Sequence, residues 1–113
     1  MYERIPGKSV APQVVRLGRG IRIAPGEEIE LDCPRASILN VAFRIHTSGT
    51  VNVAVEECQE DDGWQRTKTL EAAEGETVWH HILKKPVFRL RLTNPSDAGS
   101  VTVSVDANLP CRV

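Results

Sequence analysis

Three histidines and three cysteines are the side chains best suited to hold a metal: His46, His80, His81, Cys33, Cys58 and Cys111. A zinc site takes three or four such ligands. His80 and His81 are adjacent in a segment that alternates like a strand, so they point to opposite faces and cannot share one ion. His46 paired with either would still need Cys33 or Cys58, and no C-x-x-C spacing brings one in. The pair therefore reads as one buried and one exposed histidine, flanked by Trp79 and Ile82. Glu56, Glu57, Glu60, Asp61 and Asp62 supply oxygens of the kind calcium takes, but the D-x-[DN]-x-[DN]-G loop is missing. This cluster reads as a solvated hairpin end whose like charges discourage edge pairing.

Nucleophilic chemistry finds no frame either. Ser9, Ser37, Ser48, Ser96 and Ser100 all lie outside any G-x-S-x-G elbow. The "GKS" at 7–9 follows Pro6 and lacks the glycine-led loop that cradles phosphate. We expect no enzyme and no cofactor. The remaining chemistry is cationic. In "VFRLRLTN" (87–94), Phe88, Leu90 and Leu92 take one face, and Arg89 and Arg91 the other. Arg44 occupies the same phase of "FRIHT". A guanidinium donates two parallel hydrogen bonds to a carboxylate, so these residues suit docking on an acidic surface. The amino-terminal segment adds Arg4, Lys8, Arg16 and Arg19. Basic ends flank an acidic middle, so the two can meet within one copy or between copies. Exposed pairs contribute only about 0–1 kcal/mol each; they select orientation more than they hold an assembly.

The elements that position these residues are strands. The 113 residues suit one domain. Residues 1–20, "MYERIPGKSVAPQVVRLGRG", are punctuated by Pro6, Gly7, Pro12, Gly18 and Gly20. They read as an extended arm in which only "QVVRL" has strand character. Residues 21–113 follow a two-residue period. Strands are expected at 21–23, 28–33, 36–47, 50–58, 64–70, 77–83, 87–93 and 101–107, with a polar loop at 71–76. Pro25-Gly26 and Asp62-Gly63 mark turns, Pro86 a strand start, and Asn94-Pro95 a strand end. About eight short strands at this spacing indicate an all-β fold, a jelly-roll-like antiparallel β-sandwich. "FRIHTSGTVNVAVE" and "FRLRLTNPSDAGSVTVSVD" echo each other, which suggests two similarly built hairpins.

Composition narrows function. Net charge is −1, so no global field calls for an anionic partner. Aromatics are 4%, too few for a base-stacking platform, and direct nucleic-acid binding is not expected. No apolar run reaches the roughly 18 residues of a membrane span. "MYERIPGKSV" has no apolar leader, and the odd cysteine count reads as free thiols of a protein made in a reducing cytosol.

With the arm "IPGKSVAPQVVRLGRG" and the repeated Val-x-Val segments, the chain resembles small bacteriophage virion proteins, and in layout capsid decoration (cement) proteins. That resemblance implies a non-enzymatic virion protein, synthesised in the host cytoplasm. It binds the major capsid protein or another virion protein and its own copies, commonly as a trimer. Two alternatives share the architecture. A carbohydrate-binding module would need an exposed platform from Tyr2, Trp64 or Trp79, and a phage tail or baseplate component needs only a sandwich and an arm.

Overall fold

A computed structural model describes residues 10–32, 40–58, 63–85 and 87–112, with side chains over 14–32, 40–58, 63–85 and 87–108. Arg4, Lys8, Glu60, Asp61, Asp62, Pro86, the expected strand start at 36–39, and the side chains of Cys33 and Cys111 lie outside the described residues.

Eight strands form two four-stranded sheets: β1 (Val10–Ile23), β2 (Glu28–Asp32), β3 (Asn40–Thr47), β4 (Val51–Cys58), β5 (Gln65–Ala72), β6 (Gly75–Ile82), β7 (Val87–Thr93) and β8 (Val101–Arg112). Sheet A has the order β1-β8-β3-β6 and sheet B the order β2-β7-β4-β5. All pairs are antiparallel. The pairings 1–8, 2–7, 3–6 and 4–5 are those of a long hairpin rolled up on itself, the jelly roll. The all-β sandwich expected from the alternation is therefore the fold.

The alternation places the core. Phe88, Leu90 and Leu92 of β7 are buried, as are Val51, Val53 and Val55 of β4, Phe43 and Ile45 of β3, and Val103 and Val105 of β8. Phe43 from sheet A meets Phe88 from sheet B edge-on, 6.0 Å between centroids, and Trp79 packs on Phe43 at 5.3 Å. Burying such side chains supplies about 1.5–3 kcal/mol each, the main force pressing the sheets together.

Three expectations need correction. First, residues 10–20 are not an arm: β1 runs from Val10 and pairs with β8 along its whole length. The glycines that break its period shift the register between Arg16 and Gly18 and between Gly18 and Ile21 without ending the pairing. Gly20, at φ 58°, takes a left-handed conformation that an L side chain resists. Second, the loop expected at 71–76 shrinks to Ala73-Glu74. Glu71 and Glu76 fall on solvent-facing positions, where a polar residue does not interrupt a strand. Third, the echoing segments are not hairpins within a sheet. β3 and β8 belong to sheet A, β4 and β7 to sheet B, so each echo is a corner crossing between the sheets. The Pro25-Gly26 turn is such a corner, linking β1 to β2, with Gly26 at φ 72° and Glu27 N–H donating to the Ala24 carbonyl at 2.9 Å.

Candidate functional site

The fold puts the predicted basic residues on opposite sides of the molecule. Arg89 and Arg91 lie on the outer face of sheet B; Arg44 and Arg16 lie on the outer face of sheet A. The grouping of Arg44 with Arg89 and Arg91 is overturned, because alternation specifies inward or outward but not which sheet. Arg19 is exposed in the irregular stretch of β1.

On sheet B, Glu56 sits between neighbouring strands and is buried. Its Oε1 accepts from Arg89 Nε at 2.8 Å and Arg91 Nε at 2.9 Å, and its Oε2 from Arg66 Nη2 at 3.1 Å. Burial pushes this carboxyl up, but hydrogen bonds from Arg89, Arg91 and Arg66 outweigh it and bring the pKa down to about 2. Arg91 also reaches Glu28 and Glu30, each at 3.3 Å, and Arg89 reaches Glu30 at 3.3 Å. The Arg89 guanidinium stacks 4.0 Å from the Trp64 ring centroid. The arginines thus meet the acidic segment within one copy, as a charge lattice tying β2, β7, β4 and β5 together. Beside it lies an open depression of about 450 Å³ lined by Asn52, Arg66, Thr69, Glu71, Arg91 and Thr93. Trp64, 39% exposed, is not part of its lining.

Sheet A presents a different face. Register aligns Val14, Asn108, Ala42 and His80 in one row across the four strands, and Arg16, Asp106, Arg44 and Val78 in the next. Val14 is 69% exposed, Val78 53% and Ile82 65%. Between the rows is a depression of about 280 Å³ lined by Val14, Ala42, Arg44, Val78, His80 and Asp106, among others. Arg16 Nε pairs with Asp106 at 2.8 Å and Arg44 Nε with Glu76 at 2.9 Å. The Arg16 hydrogen bond holds the Asp106 carboxyl below the usual range. This face combines exposed branched aliphatics on its two edge strands with ion pairs among them, a mixture suited to protein docking.

The ends of the sandwich carry two buried polar groups that the sequence reading missed. Glu57, expected in a solvated hairpin end, is fully buried. It accepts from the Thr67 hydroxyl, from His81 Nε2 at 3.0 Å, and from the Lys84 and Lys85 amides at 2.5 and 2.8 Å. Burial raises its pKa, and hydrogen bonds from Thr67, His81 and the two amides overcome this, leaving it below the ordinary value. The signal was its phase: Glu57 continues the inward series Val51, Val53, Val55. At the other end, buried Asn94 donates to the Ile23 and Gly99 carbonyls at 3.0 and 2.8 Å and accepts from Ser96 N–H at 3.0 Å. His81 is half-buried on Trp79 and His80 is exposed, as the adjacent pair predicted. Among the described residues no three His, Cys, Asp or Glu groups converge as metal ligands.

No protein-family model and no curated protein matches this sequence. Solved structures share the fold. Over 89% of this chain it superposes on the PBSX exported protein XepA with a TM-score of 0.71 at 16% identity, and spans 38% of XepA's length. The Yersinia pseudotuberculosis-derived mitogen matches over 88% of this chain and 87% of its own, with a TM-score of 0.64 at 11% identity. A family 29 carbohydrate-binding module matches over 87% of this chain and 92% of its own, with a TM-score of 0.54 at 11% identity. At these identities the likeness is one of fold.

Proposed function

We propose that this chain is a non-catalytic structural protein of a phage-like particle, a head decoration protein that docks on the particle through the outer face of sheet A. The observation that carries this reading is the exposure of Val14, Val78 and Ile82 on the two edge strands of one sheet face, with the Arg16–Asp106 and Arg44–Glu76 pairs among them. The chain shares its fold with the PBSX exported protein XepA. Arg89 and Arg91 have no docking role in this reading, since sheet B consumes them. The test is to add gold-labelled chain to particles purified from the organism that encodes it and to image them. Label on heads is expected. Label on tails moves the role to the tail or baseplate, and unlabelled particles overturn the proposal.

A second reading, a carbohydrate-binding module, draws on the depression on sheet B. Asn52, Thr69, Thr93 and Glu71 offer hydrogen bonds suited to sugar hydroxyls, and exposed Trp64, outside the depression, already has one guanidinium stacked on its ring. A glycan array followed by W64A tests it: binding lost on substitution supports it, and an array without hits removes it.

A further inference from the structure

We infer that the β6 edge of sheet A is a self-pairing surface, through which two copies join their sheets about a two-fold axis at His80. The starting observation is an asymmetry among the four sheet edges. β1 is broken by Pro12 and by two register shifts around Gly18. β2 is only five residues long and carries Glu28, Glu30 and Asp32. β5 carries Arg66 and Lys68 and is offset from β4 by a shift at Val55/Glu56. Each has a feature that deters pairing with another chain. β6 has none. Its eight residues, "GETVWHHI", pair with β3 without a shift from Gly75 to Ile82, contain no proline or lysine, and among the described residues have no strand on the other side.

The occupant follows from the sequence of the strand itself. In an antiparallel pair, residues whose numbers share a constant sum face each other, and a two-fold axis at His80 makes β6 its own complement. Val78 then faces Ile82 of the second copy, and Ile82 faces Val78, so the most exposed side chains of the strand cover each other. Glu76, already paired with Arg44 of its own copy, lies toward the bend at Lys84 just past the end of the second copy's β6. On the inner face Trp79, half-buried, meets His81 of the second copy. The aliphatic and aromatic matches both come from one register. Moving the axis by one residue, to Trp79, sets Glu76 against Ile82 and leaves Val78 facing His80. The result is a continuous eight-stranded sheet with the docking faces of both copies side by side. This goes beyond the particle role and is measured on the pure chain, so its failure leaves that role standing.

Light scattering on the purified chain should give a mass twice 12.5 kDa at high concentration, falling on dilution. V78K/I82K should give a monomer with an unchanged far-ultraviolet circular dichroism spectrum. V78K/I82E should dimerise again, because in this register each introduced lysine faces an introduced glutamate of the second copy. A wild-type monomer at every concentration, a V78K/I82K variant that stays dimeric, or a V78K/I82E variant that stays monomeric would overturn the inference.

Discussion

Glu57 keeps a carboxylate in the dry interior because four donors from β5, β6 and the β6–β7 connection converge on it. The carboxylate requires His81 to present its Nε2–H form. Glu57 also joins the sheets, since it stands on β4 of sheet B while His81 stands on β6 of sheet A. Glu57→Ala strands those donors without a partner. We expect a loss of about 3–5 kcal/mol, the scale for breaking a buried charged pair, read from urea unfolding; a loss below about 1 kcal/mol would show that the network is not structural. Acid reports on the same group and on Glu56. A carboxyl whose folded pKa is depressed adds stability above its unfolded value and loses it as pH falls through the folded value. The contribution of Glu56 is therefore complete above about 4.5 and fades toward about 2. That depression corresponds to roughly 3 kcal/mol at most. Unfolding free energy should drop steeply across that window, and Glu56→Gln should flatten the drop; an equal slope in both proteins would contradict the lattice.

The strands of this protein were legible from alternation, most clearly β7, where Phe88, Leu90 and Leu92 point in and Arg89 and Arg91 point out. Sheet membership was not legible. The two echoing segments look alike because inward and outward phases obey the same physics in either sheet, yet their strands lie on opposite sheets. The partners of Arg89 and Arg91 were hidden for the same reason: only the order β2-β7-β4-β5 brings Glu28, Glu30 and Glu56 around them. Asn94 shows what a turn signal conceals. "NPSDAGS" is readable as a turn, but the amide's bonds to Ile23 and Gly99 tie the end of β1 to the β7–β8 connection, a long-range link. Asn94→Ala removes three hydrogen bonds of a buried side chain, one buried and two part-buried, and should cost about 2–4 kcal/mol in thermal or urea unfolding. A change within about 0.5 kcal/mol, as for a surface site, would mean that the corner is held by backbone bonds alone.

The molecule is a rolled hairpin in which, among the described residues, only β4 and β5 are paired neighbours in sequence. Every other pairing closes a long loop, and β1 meets β8 across nearly the full chain. Such topologies fold in roughly milliseconds to seconds. Stopped-flow fluorescence of Trp79, half-buried against Phe43, should follow that phase, and refolding in microseconds would contradict it. The two outer faces then divide the work. Sheet B spends its charges on itself; sheet A leaves aliphatic side chains exposed beside ordered ion pairs. The direct test of the docking account is cosedimentation of the chain with purified particles, comparing wild type with Val14→Asp/Arg16→Glu, which alters sheet A on β1, the edge opposite β6. The account predicts that wild type pellets with the particles and the folded variant stays in the supernatant. Equal pelleting of both would contradict it.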